Sequence, residues 1–345
     1  MKHISSCSAL MLASLAACGD SDKSDADYQA EVVASMHDSI GADLTTLVQA
    51  ARDLQAAAPT HAWSPTADAA AITAMRDAWK RTRVAYEHVE GATAPIFSNL
   101  DVTMDARYDD YLAELGPAGD PALFDATGVT GMHGIERILY APTIRPEVIA
   151  FERTLPGYQP AAYPATDGEA MSFKTVLVQK LVDDASSLHD QWKPAAIDIG
   201  AAYQGLVGLM NEQKEKVNLA ATGEEESRYA NLTLFDLRNN LDGTKQIYEL
   251  FRPWITFKDG SEPDTMIQAR FSALTSVYAQ TAGDSLPAVP ADWSSDHPTP
   301  ADLATPFGVL WKTVQDNVDP KADGSVVFEM NEIAALLGFP EFVEE

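Results

Sequence analysis

The chain has 345 residues, 46% of them hydrophobic, and its 51 Asp and Glu against 24 Lys and Arg give a formal net charge of −27 at pH 7. A chain this acidic lacks the basic patches that bind phosphate backbones, which excludes nucleic acid as its partner. The length suffices for a large core in one or two domains. The negative charge favours cations as ligands, although it also serves simply to keep a protein in solution.

The first 17 residues have the pattern of a secretory signal peptide. Lys2 is followed by a short, mostly apolar stretch, residues 4–15, and then by two alanines that precede Cys18. This stretch is too short to span a bilayer as a stable helix. We therefore expect residues 1–17 to be removed on export.

Cys18 directly follows small residues, and this order resembles the bacterial lipobox, in which cleavage leaves a lipid-bearing cysteine at the new N-terminus. The sequence thus predicts a periplasmic, membrane-anchored lipoprotein with residues 18–26 as a polar linker. Plain cleavage, with the cysteine incidental, is the alternative. Cys7 leaves with the signal, so a metal site in the mature domain must use His, Asp or Glu rather than thiolates.

Apolar residues recur at helical spacing through most of the remaining chain, whereas alternating β-patterns are scarce. The first segment carries Val32, Met36, Ile40 and Leu44 near one face. The predicted helices cover residues 27–57, 66–93, about 128–140, 172–193, 199–221, 230–251, 262–282, 302–317 and 330–338. These features predict an all-α protein.

Residues 141–171 interrupt the helical pattern. They contain five prolines and two glycines and cannot form one helix. We expect a long crossover with a short helix near residues 147–152. It would join an N-terminal helical bundle, residues 27–140, to a C-terminal bundle, residues 172–345.

The two halves share a faint repeat. In each half, a Trp-Ser pair precedes a proline-bearing turn and a helix, and that helix contains a Trp-Lys pair. The tryptophans are Trp63 and Trp79 in the first half and Trp293 and Trp311 in the second. Copies of one helical unit would need the same aromatic anchors in their cores. The pattern predicts that the two bundles form a pseudo-repeat, although two matches also occur by coincidence.

The strongest chemical motif is Gly-Met-His-Gly-Ile-Glu at residues 131–136. On a helix, His133 and Glu136 are three residues apart and share a face. An imidazole and a carboxylate that project together can bind hard or borderline metal ions. A surface ion pair or a capped core histidine would show the same spacing, so this motif alone leaves the metal site open.

Two acidic pairs precede that motif. Glu87 and Glu90 are three residues apart, and Asp101 and Asp105 are four apart. Acidic side chains at these spacings repel each other unless a cation or a base neutralises them. The alternative is a solvated acidic face with nearby arginines as counter-charges.

Several segments occur together and in a fixed order. They are Ala78-Trp79-Lys80-Arg81-Thr82-Arg83-Val84-Ala85-Tyr86-Glu87, Leu100-Asp101 with Met104-Asp105-Ala106-Arg107, Gly131-x-His133-x-x-Glu136, and Leu237-Arg238-Asn239-Asn240-Leu241-Asp242-Gly243-Thr244-Lys245 with Leu250-Phe251-Arg252-Pro253. In this order they resemble the imelysin-like family, and within it the EfeO and EfeM branch. The resemblance covers most of residues 30–340.

The resemblance implies two helical bundles related by a pseudo-repeat, a periplasmic or lipid-anchored location, and a role in iron uptake rather than catalysis. In this branch the EfeO component binds iron for a membrane permease, so iron and permease components are the implied partners. The family's metal ligands fall at His133, Glu136, Glu87, Glu90 and Asp105, with Asp101 as a weaker match. Such donors also suit Zn, Mn or Ca, and the sequence leaves Fe²⁺ and Fe³⁺ open.

Three other functions are compatible with parts of the sequence. Imelysin-like proteins have been described as peptidases, but a hydrolytic zinc site needs a further ligand and a general base, and His189 and His297 lack a supporting motif. A calcium-dependent polysaccharide binder could use tyrosines near the loops, namely Tyr108, Tyr111, Tyr158 and Tyr163. The third is a structural surface lipoprotein without a metal.

Overall fold

A computed structural model describes residues 23–120 and 122–343 of the chain. The proposed signal peptide and Cys18 lie outside the described residues. Within these ranges the protein is helical with no β-strand, which confirms the all-α prediction. The α-helices are α1 (Asp25–Ala57), α2 (Ala69–Glu87), α3 (Glu90–Thr93), α4 (Ser98–Asp105), α5 (Tyr108–Glu114), α6 (Met132–Leu139), α7 (Pro146–Glu152), α8 (Asp167–Ser172), α9 (Val178–Trp192), α10 (Ile199–Asn218), α11 (Thr233–Phe257), α12 (Ser261–Gln280), α13 (Pro300–Leu303), α14 (Pro306–Val318) and α15 (Val326–Leu337).

Helix α1 shows how the sequence encodes these elements. Ser24 caps its N-terminus in a capping box with Asp27, which satisfies backbone N–H groups that have no partner inside the helix. Its buried residues recur every three or four positions and face α2, α9 and α11. Full burial of one such aliphatic side chain contributes about 1.5–3 kcal/mol, so this stripe fixes the helix in the core.

The predicted helix over residues 66–93 is interrupted in the structure. Helix α2 ends at Glu87, and α3 begins at Glu90. Around the break the backbone turns tighten, because the N–H of Val89 bonds to the carbonyl of Tyr86, three residues back. Helix α11 crosses here, and a Cβ atom at Gly243 would overlap the backbone of His88. This tertiary contact is absent from the local sequence pattern.

The crossover region contains more helix than expected. Helix α7 confirms the short helix expected near residues 147–152. The expected helix start at residue 172 is wrong, because Thr166 caps α8 in a capping box with Glu169 and the helical path runs through a π-helical turn, Phe173–Leu177, into α9. Ser172 therefore lies inside a helical segment.

Packing also links the two halves of the chain closely. Helix α9 packs against α1 and α4, and α10 packs against α3. The division into an N-terminal and a C-terminal bundle, and the pseudo-repeat, stay predictions. None of the helices in the described residues is long and apolar enough to cross a bilayer.

Candidate metal centre

The glycines of the residue 131–136 motif allow α6 to approach its neighbours closely. A Cβ atom at Gly131 would overlap the backbone carbonyls of Met104 and Thr103, and one at Gly134 would overlap the carbonyl of Val129. Glycine is the residue that permits such an approach of one backbone to another. As a result, the first turn of α6 lies against the end of α4.

Trp79 fixes the same turn from α2. Its indole Nε1–H donates to the carbonyl of Met132 at 3.0 Å, and its ring contacts Tyr140 edge-on. Trp79 is fully buried. A buried indole N–H needs a partner, so this bond both satisfies the indole and holds the chain directly before His133.

Three side chains from distant segments converge at this point. His133 Nε2 lies 3.4 Å from Asp105 Oδ1 and 3.7 Å from Glu226 Oε1. One donor atom from each of the three residues lies within 4.8 Å of the others. His133 comes from α6, Asp105 from the end of α4, and Glu226 from the loop between α10 and α11.

The spacing of these donors suits one metal ion. Donors bound about 2.1 Å from a shared ion at tetrahedral angles lie about 3.4 Å apart. The side chains of His133 and Glu226 are 3% and 8% exposed, and that of Asp105 is 17% exposed. One imidazole and two carboxylates form a mixed donor set that suits iron, zinc or manganese.

Glu136 supports His133 from the opposite side of the ring. Its Oε2 lies 2.9 Å from His133 Nδ1, and its Oε1 accepts the backbone N–H of Ala230 at 2.8 Å. Both carboxylate oxygens are therefore engaged. In the neutral ring that would bind a metal ion, the proton stays on Nδ1 beside Glu136 and the lone pair of Nε2 faces Asp105 and Glu226.

Arg83 is the central counter-charge of the pocket. Its guanidinium forms close ion pairs with Glu87 and Asp105 and lies 3.3 Å from Glu226 Oε1 and 3.5 Å from Asp236 Oδ1. The side chain of Arg83 is fully buried. A buried charge without a partner is unfavourable, so the guanidinium of Arg83 requires these carboxylates around it. Its attraction in turn keeps the carboxylates near one another.

Glu87 and Glu90 meet at Asn240 of α11. The Asn240 side-chain amide donates to both carboxylates, at 3.0 Å in the case of Glu90 Oε2, while its Oδ1 accepts from Lys216 Nζ at 3.3 Å. These two glutamates thus line the pocket beside Arg83 and Lys216, outside the group of three donors.

Asp101 lies at the edge of the same region. Its carboxylate accepts a close hydrogen bond from the hydroxyl of Tyr86. Of the six metal ligands expected from the sequence, two belong to the converging group, Glu136 orients the histidine, and the other three have the partners just described. The ligand assignment itself stays a prediction.

Electrostatics keeps the two carboxylate donors ionised. Burial opposes the charge of Asp105, but Arg83 and His133 outweigh burial and hold the pKa of Asp105 below its usual value. Burial likewise opposes the charge of Glu226, and Lys216, His133 and Arg83 hold the pKa of Glu226 well below its usual value. Both groups can therefore bind a cation without first losing a proton.

Four neighbouring groups have raised rather than lowered pKa values, namely His133, Glu87, Glu90 and Asp236. Burial would lower the pKa of His133, but the charge of Asp105 and hydrogen bonds to the surrounding carboxylates raise it well above its usual value. Burial raises the pKa of Glu90 to about 8, and it raises that of Asp236 to about 6 against the opposing charge of Arg83. Burial also raises the pKa of Glu87.

An acidic cavity of about 510 Å³ borders the site at Asp105. Asp105 lies in its lining, together with Asp101, Asp110 and Glu114, and Arg107 is a basic residue there. An excess of negative charge around a cleft concentrates cations at its mouth. The cavity therefore provides a route by which a positive ion could reach Asp105.

Two tyrosines considered for sugar stacking have protein partners instead. The guanidinium of Arg137 lies 4.5 Å from the ring centroid of Tyr108, and the hydroxyl of Tyr108 donates to Asp120 at 3.2 Å. Tyr163 contacts Trp63 edge-on. Tyr108 is buried and Tyr163 is half-buried, and both rings pack against the core.

Glu226 was not found by sequence reasoning. It is the third of three consecutive glutamates in a loop, residues 224–226, and no spacing rule distinguishes it from the other two. Neighbouring residues show how the loop is held: Ser227 donates to Asp236, Arg228 donates to Asp109 at 2.6 Å, and Tyr229 donates to Glu152 at 2.6 Å. Such contacts are visible only in three dimensions.

Comparison with known proteins agrees with this architecture. The sequence model of the family described as Imelysin (Peptidase_M75) matches residues 40–296. The chain belongs to the imelysin family. The solved structure of an imelysin-like protein from Psychrobacter arcticum 273-4 superposes with a TM-score of 0.57 and 14% identity, over 93% of this chain and 99% of that one. At this identity the likeness shows the fold alone.

Two curated relatives of this imelysin-family chain are components of iron uptake systems. It is 29% identical over 188 residues to "Iron uptake system component EfeM" of Pseudomonas syringae pv. syringae, covering 54% of this chain and 52% of the relative. It is 27% identical over 230 residues to "Iron uptake system component EfeO" of Escherichia coli K12, covering 67% and 50%. The chain spans about half the length of these relatives.

Proposed function

We propose that this protein binds an iron ion as cargo between Asp105, His133 and Glu226 and serves in iron uptake on the periplasmic side of a membrane. The observation that carries the proposal is the convergence of these three donors from separate parts of the chain. The names of the EfeM and EfeO relatives support iron rather than another metal.

The charge balance supports the binding of a cation. Seven carboxylates belong to one contact network with Arg83, Lys216 and His133, and they are Glu87, Glu90, Asp105, Glu136, Glu212, Glu226 and Asp236. Carboxylates thus outnumber the three basic groups, and burial together with neighbouring carboxylates raises the pKa values of Glu87 and Glu90. A divalent or trivalent ion relieves this repulsion, because it stays close to several carboxylates at once.

We propose binding rather than hydrolysis. A catalytic zinc ion commonly has three protein ligands, often two or three of them histidines, and a general base beside its water. The rings of four other described histidines contact groups elsewhere: Trp192 for His37, Asp68 for His61, Asp43 for His88 and Asp190 for His189. His297 lies in the loop before α13, where its backbone N–H donates to the Ser294 carbonyl. The pocket thus offers a single imidazole.

An anchor is the remaining part of the proposal. The order of residues up to Cys18 supports export and attachment of lipid, and the linker that follows would hold the helical domain near the membrane surface. A cargo-binding protein in this position could deliver its ion to a permease in the same membrane.

The adjacent glutamates Glu225 and Glu226 provide a matched test. Both are buried, but Glu225 pairs with Arg145, whereas Glu226 faces His133. After anaerobic dialysis against Fe²⁺, metal analysis should find one ion per chain in the wild type and in Glu225→Gln. Glu226→Gln and His133→Ala should lose most of it. Equal iron in all four proteins, each folded by circular dichroism, would refute the site.

A further inference from the structure

Lys216 is a buried cation on α10, and iron binding as proposed above does not require it. Its side chain is 8% exposed. Lysine is almost never buried unless it is paired, and this one lies 3.2 Å from Glu226 Oε2 and 3.8 Å from Glu212 Oε2. Its third contact, at 3.3 Å, is Asn240 Oδ1.

The contact with Glu226 concerns the proposed donor directly. Glu226 Oε1 faces His133 Nε2, while Oε2 is held by Lys216. A carboxylate whose second oxygen is bound to an ammonium can give a metal ion only one oxygen. It also gives up part of its negative charge to the ammonium.

Asn240 connects the same ammonium to two further carboxylates. Its amide nitrogen donates to Glu87 and Glu90 while its oxygen accepts from Lys216. The ammonium thus lies among side chains that could otherwise all turn toward an incoming ion. The ammonium of Lys216 and an incoming metal ion would repel each other strongly there, because the effective dielectric constant inside a buried pocket is low.

We propose that Lys216 is a tethered counter-cation that competes with the metal ion for Glu226 and thereby weakens its binding. This inference rests on the proposed function and specifies how affinity is set at that site. A carrier must release its ion as well as bind it, and a lysine held beside the donor supplies the replacement charge at the moment of release. Removing it should therefore tighten binding and slow release.

The test compares Lys216→Met with Lys312→Met. Lys312 lies on α14, is exposed and pairs with Asp316, so its variant makes the same change in net charge away from the pocket. In anaerobic titrations with Fe²⁺, and in parallel with Mn²⁺, Lys216→Met should lower the dissociation constant by about tenfold or more. Lys312→Met should stay within about twofold of the wild type, since screening weakens distant surface charges.

A purely structural role for Lys216 predicts the opposite result. Loss of a packing or pairing residue would leave the dissociation constant unchanged or raise it. Release rates, measured by chelator chase, should fall in Lys216→Met in step with the dissociation constant. An unchanged or weaker affinity in folded Lys216→Met would overturn the inference.

A second variant keeps the test decisive if the single variant does not fold. Lys216→Met combined with Glu212→Gln removes one charge of each sign and keeps the net charge of the pocket. It should still bind Fe²⁺ more tightly than the wild type, because Glu226 Oε2 is free, and equal or weaker affinity would overturn the inference. A wild-type protein that binds neither metal would overturn the proposed function itself, whereas tight wild-type binding with no gain in either variant would overturn the role of Lys216 alone.

Discussion

Glu136 links the imidazole of His133 to the loop that carries Glu226. One carboxylate oxygen lies 2.9 Å from His133 Nδ1, and the other accepts the N–H of Ala230 at 2.8 Å. The two residues of the His-x-x-Glu motif therefore have different roles. His133 can present Nε2 to an ion, and Glu136 sets the orientation of the ring while it holds the loop in place.

The first prediction concerns this orienting role. Glu136→Gln keeps the size of the side chain but removes the charge that supports the Nδ1 proton. Changes to a group that orients a metal-bound histidine typically cost about 10–100-fold in metal affinity. We expect a loss of this size in an Fe²⁺ titration, with stoichiometry unchanged at saturation. Wild-type affinity in Glu136→Gln would show that the carboxylate does not act through His133.

The second prediction concerns protons. The pKa of His133 is raised well above its usual value by Asp105 and the surrounding carboxylates, which favours the protonated ring in the metal-free protein. A metal ligand must be deprotonated, so ion binding should release a proton from the ring and become weaker as the pH falls below the pKa of His133. Asp105 and Glu226 have lowered pKa values and are already ionised.

Calorimetry in buffers of different ionisation enthalpy measures that release. We expect the wild type to release about one proton per bound ion near pH 7. His133→Gln should release fewer protons per bound ion when it is measured at an ion concentration high enough for binding. Affinity that is constant between pH 5.5 and about 8 would contradict the assignment of His133 as a ligand.

The third prediction concerns the steric role of glycine in the motif. In Gly131→Ala the added methyl group would overlap the Met104 carbonyl, so α6 must move away from α4. Such overpacking typically costs about 1–3 kcal/mol. We expect a lower free energy of unfolding by chemical denaturation, together with weaker metal binding. Gly116→Ala, where nothing lies within 4 Å, is the control and should change neither quantity.

The fourth prediction concerns Cys18, which lies outside the described residues. If it carries lipid, Cys18→Ser should move the protein from the membrane fraction to the soluble fraction of exporting cells and abolish labelling with a radioactive fatty acid. The variant should retain the metal affinity of the wild type once purified, because the linker separates it from the helical domain. Unchanged membrane association in Cys18→Ser would contradict lipid anchoring.

Local sequence patterns account for most of the fold. Helix α1 was predicted from the apolar stripe and the length of its segment. The expected start at residue 27 lies two residues inside the helix, because the cap at Ser24 was not recognised. The start of α8 at Asp167 was missed, although Thr166 before it and Glu169 form a capping box. The capping-box pattern is present in the sequence, but the surrounding prolines favoured a non-helical interpretation of this region.

The site was predictable only in part. His133 and Asp105 stand in motifs with recognisable spacing, and the structure places them 3.4 Å apart. Glu226 and Lys216 carry no such motif. The position of Glu226 depends on how the loop after α10 folds over α6, and Lys216, on α10 itself, meets Glu226 only because of that loop. The break between Glu87 and Glu90 has a similar cause, since the contact of Gly243 with His88 joins segments more than 150 residues apart.

Anomalous diffraction from crystals grown with Fe²⁺ under anaerobic conditions tests directly whether Asp105, His133 and Glu226 hold one ion. Data collected on both sides of the iron edge should show one strong peak about 2.1 Å from His133 Nε2 and within bonding distance of Asp105 and Glu226. A peak bonded to other residues, or none at full metal loading, would contradict the account.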